Sequence, residues 1–383
     1  MQTQAPPEND ASTVSELDEL SDLGLAVLAT PRAEGRGLVV AFLPAHNEQA
    51  DIGEALQHLH DQEASPDLIV VCADNCTDRT AEIAAGAGAY VYETVGNAHK
   101  KAGALNQALD QVLPVLRDED AILVMDADSF LAPTFVAEAQ LRLAQGYGGV
   151  GGTFTGRGGG GYVGMLQRNE YARYARDVNR RKGKVLVLTG TATLFSVATL
   201  RHVVRARAEG LLPGDATQVY DTKVLTEDNE LTLALLHLGY KVVSPKGARL
   251  TTEVMESWGD LYRQRLRWKR GAVENLKDYG FTRITASYWM RQFVTLFGMV
   301  VTFIYLASLA WSLTADHGVH LHPVWLAVTA IFVTERIVTV RSRGLGQMAL
   351  ASILVVEMSF DIFLQGVHAK ALWDSLWNTE RRW

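Results

Sequence analysis

Residues 121–128 read AILVMDAD: five apolar residues that end on two aspartates in alternate positions. The apolar part shows no apolar/polar alternation, so both faces would be covered, as in a strand inside a parallel sheet flanked by helices. Upstream lie three more such runs, LVVAFLP at 38–44, LIVVCAD at 68–74 and AYVYET at 89–94. Helical patterns over 49–61, 79–87 and 101–116 separate them. This alternation predicts an α/β fold with a Rossmann-like, mostly parallel sheet and helices on both faces. In such sheets ligands bind at the carboxyl ends of the strands. Asp74 and Asp126 fall at strand ends, so their carboxylates should converge on one crevice.

Downstream, residues 146–164 are glycine-rich but contain no G-K-[ST], which excludes a P-loop. The pattern there predicts a strand over 150–155, a helix over 165–181 and a strand over 185–188. Further helices are expected from Thr226 to Gly239 and over 257–279, the latter with Arg263, Arg265, Arg267, Lys269 and Arg270.

Hydrophobic residues make up 48% of the chain and charged residues 21%, enough for a sizeable core, and the net charge is −7. That balance argues against nucleic acid as a partner, because phosphate backbones need basic patches. Cys72 and Cys76 are the only cysteines, so no disulfide framework exists and a reducing compartment is expected. Residues 1–36 lack a basic, apolar leader pattern and read as a disordered tail with a short amphipathic helix near Leu17–Leu28. The last quarter is far more apolar. The run 293–315 has no charged residue and is long enough to cross a bilayer, with a buried core helix as the alternative. A second run covers 317–334, and a third, 347–369, is interrupted by Glu357 and Asp361. Residues 293–383 are thus expected to hold two or three transmembrane helices. Residues 281–292, with Tyr288, Trp289 and Arg291, suit an interfacial helix in contact with membrane lipid. The connector 316–322 lacks Lys and Arg, whereas Arg336, Arg341 and Arg343 follow the second run. The positive-inside rule then gives a multi-pass cell-membrane protein whose soluble part, residues 37–280, is cytoplasmic.

Four short motifs can carry chemistry. Asp126 and Asp128 can hold one hard cation, Mg2+ or Mn2+, against a ligand diphosphate, or can be solvated loop aspartates. In Thr226-Glu227-Asp228, Thr226 can cap a helix whose first turn favours acids, and a carboxylate there can serve as general base. Gln264, Arg267 and Trp268 share a helix face at i, i+3 and i+4. The arginine can clamp a diphosphate and the tryptophan can stack on a sugar; a basic face near lipid headgroups is the plainer reading. Lys101 at a helix start opposes the dipole unless an anion is bound, or is a surface lysine.

Together PAHNE (44–48), DNCTDRT (74–80), KAGALN (101–106), DAD (126–128), TGTATLFS (189–196), TED (226–228) and QRLRW (264–268) make a specific set. From Leu38 to Leu276 the chain resembles the family 2 glycosyltransferases, in particular the processive branch with hyaluronan, cellulose, chitin and poly-N-acetylglucosamine synthases. The last two motifs fit that family's T/E-E-D and Q-x-x-R-W patterns in full.

The resemblance implies a GT-A fold and a nucleotide-sugar donor, UDP-linked. It places Ala45, Glu48 and Asp74 at the base and ribose and Lys101 at the nucleotide or its phosphates. Asp126 would hold nucleotide and metal, and Asp128 would be the more direct metal ligand. Asp228 would be the general base. Gln264, Arg267 and Trp268 would bind diphosphate and acceptor, with Glu227 on the acceptor side. The expected reaction is an inverting, metal-dependent transfer to an acceptor hydroxyl that builds a β-linked polysaccharide or glycan. A non-processive transferase with a lipid-linked or protein acceptor is the alternative, and a non-catalytic nucleotide-sugar-binding membrane protein a third. Two or three spans are few for a polymer channel, so export would call for a homo-oligomer or an export partner.

Overall fold

The computed structural model of the chain describes residues 21–315, 323–377 and 379. Helix α1 (Asp22–Ala29) opens it. Then follow β1 (Val39–Ala45), α2 (Ile52–His60), β2 (Leu68–Ala73), α3 (Thr80–Gly86), β3 (Tyr90–Glu93), α4 (Lys100–Val112) and β4 (Ala121–Met125). Strand β5 (Phe130–Leu131), α5 (Phe135–Ala144), β6 (Tyr147–Gly151), β7 (Thr153–Gly156) and α6 (Gly161–Arg180) come next. Strand β8 (Ala192–Ser196), α7 (Val197–Ala208), α8 (Glu227–His237), β9 (Lys241–Val243), β10 (Arg249–Thr252) and α9 (Trp258–Tyr279) complete the α/β part. The C-terminal helices are α10 (Ala286–Ala315), α11 (Pro323–Val340), α12 (Leu345–Ala351) and α13 (Leu354–Leu376).

The main sheet has strand order β3-β2-β1-β4-β8-β6-β9, and a small sheet has order β5-β10-β7. Strands β3, β2, β1 and β4 are parallel. Both faces are covered, which is why their sequences are continuously apolar. Val40, Phe42, Val70, Ile122 and Val124 pack with Leu105, Leu200 and Leu231 of α4, α7 and α8 on one face. Their neighbours Val39, Ala41, Leu43, Val71, Leu123 and Met125 pack with Ile52, Leu56 and Phe135 of α2 and α5 on the other.

Three local expectations are corrected. The strand expected over 185–188 is irregular chain, and the strand is instead β8, antiparallel to both β4 and β6. The sheet is therefore mixed, because β8 lies between β4 and β6 and runs antiparallel to both. The strand expected over 150–155 is two strands in two sheets. They part at Gly152, where a Cβ would sit 2.2 Å from the Leu250 side chain and 2.9 Å from that of Phe135, so a larger residue would have to displace these core side chains. The disordered tail was expected to reach residue 36, but α1 buries Leu23 and Val27 in the core, and Arg32 forms an ion pair of 2.7 Å with Asp120. Residues 1–20, with the start of the Leu17–Leu28 helix, lie outside the described residues, as does the connector 316–322.

Helix α10 begins at Ala286, inside the expected interfacial segment 281–292 whose first five residues are not helical, and runs unbroken through the expected first span. It exposes Phe293, Phe297, Ile304 and Trp311. Among the described residues, Ala286–Ser312 is the one single helix long and apolar enough to cross a membrane; α12 and α13, bent by 69°, count as a second if taken as one broken span. Helix α13 lies against α9, with Val367 and Ala371 on Leu266. Its buried Glu357 pairs with Arg173 of α6 at 2.8 Å, and Asp361 pairs with Arg336. The carboxylates that interrupt the third apolar run thus face cations of the protein.

Candidate active site

Strands β1, β2 and β3 end level with one another, Ala45 beside Ala73 and Ala73 beside Glu93. Asp74 comes one residue later, its amide donating to the Ala45 carbonyl at 2.8 Å. Its Oδ1 accepts from Asn75, Thr94 and Asn97 at 2.9, 2.8 and 2.9 Å, which fixes the side chain at the strand tip. The Ala45 side chain is buried in the core under α2, so that residue offers a ligand only its backbone. Glu48 is half-buried; burial, then Asp51, Glu253 and Asp126, push its carboxyl up.

Strand β8 completes the crevice from the other side. Because Met125 pairs with Ala192, the residues just before β8 meet those just after β4, and the Asp126 amide donates to the Thr191 carbonyl at 3.0 Å. Gly190 stands beside them. Lys101, at the start of α4, donates to Asp126 Oδ1 at 2.5 Å and to the Gly190 carbonyl at 2.9 Å, and lies 3.5 Å from Glu227. Burial works against its charge, but Asp126, Glu227 and Asp228 outweigh that and hold the ammonium above the usual lysine range. The Gly190 amide donates to Asp228 Oδ2 at 3.0 Å. Gly190 therefore joins Lys101 to Asp228 through its two backbone groups. A Cβ there would lie 3.1 Å from Asp228, tighter than ordinary contact.

Asp228 sits in the first turn of α8, its Oδ1 accepting from the Asn229 amide at 2.8 Å. Burial and then Glu227 raise its carboxyl to about 6; Lys101 and the two amides oppose the rise. Asp128 is pushed to about 7, first by burial and then by Asp126, Glu48 and Glu253. Lys101, paired with Asp126, opposes this rise. Among the described residues no group of three or more His, Cys, Asp or Glu could enclose a metal. Two carboxylates on alternate residues nonetheless fit Mg2+ or Mn2+, which take one or two carboxylates and complete their shell with phosphate oxygens and water.

Helix α9 approaches α8 along one stripe. Gln264, Trp268, Gly271 and Asn275 recur at i, i+4, i+7 and i+11, one helix face. Thr226 occupies the N-cap position of α8, but its hydroxyl does not cap the helix; it accepts from Asn275 at 3.2 Å. A Cβ on Gly271 would be 2.4 Å from that hydroxyl, so glycine permits the close approach. The T-E-D segment and the Q-x-x-R-W helix are thereby joined by direct contact. Arg267 is exposed, with no ion pair among the described residues, whereas Gln264 and Trp268 are half-buried.

Three groups beyond those singled out from the sequence reach the site. Tyr174 of α6 stacks on Phe154 with ring centroids 4.8 Å apart, and burial followed by the charge of Asp228 raises its hydroxyl to about 12. Arg265 is buried beside Gln264 and Trp268. Gly190 lay inside the quoted TGTATLFS stretch, which was the only signal for it. Nothing in the sequence pairs Arg265 or Tyr174 with the crevice.

A family model described as "Glycosyltransferase like family 2" matches residues 36–271. Poly-beta-1,6-N-acetyl-D-glucosamine synthase of Staphylococcus aureus is 24% identical over 277 residues, 70% of this chain and 62% of that protein. The enzyme of the same description from Staphylococcus epidermidis is 26% identical over 261 residues, 63% of this chain and 57% of that one. The chain thus spans about three fifths of the length of the curated relatives it matches. The mannosyltransferase PcManGT from Pyrobaculum calidifontis, solved with GDP-Man and Mn2+, superposes with a TM-score of 0.57 at 18% identity and covers 97% of this chain and 98% of its own, a likeness of fold. Because the family model extends over well more than half of the residues, from before β1 into α9, this chain belongs to glycosyltransferase-like family 2.

Proposed function

We propose that the protein is a membrane-bound, inverting glycosyltransferase that moves a sugar from a nucleotide-sugar to a hydroxyl of a glycan. The observation that carries this reading is the Asp228 carboxylate, held by two backbone amides beside the Lys101–Asp126 pair at the carboxyl ends of the strands. An acid with its pKa raised to about 6 is ionised at neutral pH yet basic enough to take a proton. The acceptor oxygen attacks the anomeric carbon, its proton passes to Asp228, and the nucleoside diphosphate departs from the opposite face. An α-linked donor thereby gives a β-linked product, in keeping with the β linkage in the names of the relatives.

Asp74, Glu48 and the backbone at Ala45 would receive the nucleoside, and Lys101 with Gln264 and Arg267 its diphosphate. Glu227 and Trp268 would face the acceptor. Asp126 and Asp128 would hold the divalent cation, with Asp128 the more direct ligand; when bound, the cation supplies neutralisation of the charge that builds on the leaving diphosphate. Helix α10, with large apolar side chains exposed along its length, would lie in the bilayer and keep the α/β domain at its surface.

The test is to incubate detergent-purified protein with UDP-N-acetylglucosamine, UDP-glucose or GDP-mannose, with and without Mn2+, measure released nucleoside diphosphate and size the product. UDP-N-acetylglucosamine is the donor suggested by the relatives. A β-linked product from one donor is expected; a long product marks a polysaccharide synthase, and a single transfer to lipid or protein marks the alternative. UDP titrated with and without Mn2+ should show metal-dependent binding that Asp128→Ala weakens by about tenfold or more. Absence of turnover with every donor, despite intact nucleotide binding, would refute the catalytic reading.

A further inference from the structure

We propose that Arg265 is a positioning residue: its guanidinium, anchored by Glu170 of α6, sets the amide of Gln264 and the ring of Trp268 for donor and acceptor. The proposal rests on the reading of Gln264 and Trp268 given above, and it adds a residue to which no substrate contact is assigned. Arg265 is only 1% exposed and is among the largest fully buried side chains of the protein. Arginine is rarely buried without partners. Its Nη2 donates to Glu170 Oε2 at 2.7 Å and its Nη1 to Gln264 Oε1 at 2.5 Å. Its Cζ lies 4.4 Å from the centroid of the Trp268 ring and 5.6 Å from that of Tyr171.

Two consequences follow from the chemistry of these groups. Gln264 Oε1 accepts from a cation, so the donor end of the amide, Nε2, is left for the crevice; an amide so oriented suits the oxygens of a diphosphate. Trp268 lies under a guanidinium, so one ring face is occupied and the other is left for a sugar. Arg265 Nε, by contrast, is buried without a hydrogen-bond partner among the described residues, as is Arg207 Nε.

The experiment is a pair of double-mutant cycles that combine Arg265→Met with Gln264→Ala and with Trp268→Ala, reading kcat and the acceptor KM at saturating donor. Arg265→Met, which keeps much of the volume, is expected to raise the acceptor KM by more than ~10-fold and to lower kcat. Added to Trp268→Ala it is expected to raise the acceptor KM little further, and added to Gln264→Ala to lower kcat little further, because in each cycle the residue through which it acts on that parameter is already gone. Arg265→Lys keeps the charge but not the planar fork and should fail to restore KM. If Arg265→Met does not fold, Glu170→Gln enters the same cycles, since the Glu170 side chain is 28% exposed. A merely structural role would reduce the active fraction, so that kcat falls, KM stays and the losses add in full; that result, or full activity of Arg265→Met or Glu170→Gln, overturns the proposal. If Gln264→Ala and Trp268→Ala themselves turn over normally, the reading of the site fails and the clamp fails with it. If they are impaired and the losses add, the clamp alone fails.

Discussion

Asp228→Asn changes one atom of the site and tests its chemistry most directly. Both carboxylate oxygens take a backbone amide, from Gly190 at 3.0 Å and from Asn229 at 2.8 Å. A side-chain amide has a single oxygen, so its NH2 must face one of these donors. A buried donor left unpaired costs about 1–3 kcal/mol. Against this, the variant no longer buries an ionised carboxylate, the effect that raises Asp228 to about 6. The two partly offset, and the variant should fold and bind UDP with Mn2+ much as the wild type does. Transfer should suffer. Loss of a general base costs about 10²–10⁴-fold in rate, or about 2.7–5.4 kcal/mol in the barrier. The assay is kcat at saturating donor and acceptor across pH, with UDP titration as control. The working form of Asp228 is ionised, so wild-type kcat should fall as pH drops through about 6 and level off above it. The variant should lack that limb. Turnover within tenfold of wild type, or an unchanged acid limb in the variant, would refute the assignment of Asp228 as base.

Lys101→Met removes the cation that lowers the Asp228 pKa and leaves Asp126, Glu227 and Asp228 without it, so the acid limb of kcat should move to higher pH; an unmoved limb in the pH–rate profile would contradict this coupling. Gly190→Ala puts a Cβ 3.1 Å from Asp228 and should cut kcat by roughly 10–10²-fold with UDP affinity retained, as measured by single-turnover transfer and UDP titration. Arg207 and Glu230 form an ion pair of 2.7 Å, almost without exposure, and Tyr279 donates to the same carboxylate at 2.7 Å. Arg207→Ala should therefore lower stability by about 3–5 kcal/mol, seen as a lower denaturation midpoint, and an unshifted midpoint would show that the pair is not structural.

The parallel half of the sheet and its carboxylate-tipped strands could be read from the chain alone. A strand buried on both faces must be continuously apolar, and the acids that end it, Asp74 and Asp126, follow in the same short segment. The T-E-D and Q-x-x-R-W motifs were equally legible, being local patterns of side chains. What the tertiary structure decided was the meeting of segments far apart in sequence. Strand β8 was placed too early because 185–188 is the more apolar stretch, while the pairing that selects 192–196 depends on partners in β4 and β6. Thr226 reads as a helix cap until Asn275 of α9 claims its hydroxyl. Gly190 acts through an amide and a carbonyl that every residue possesses, and Arg265 looks like one more basic residue of an amphipathic helix until Glu170 and Trp268 enclose it. Composition and spacing record which side chains a segment carries; which backbone donors and buried charges meet is set by long-range packing, and only the fold brings those partners within bonding distance.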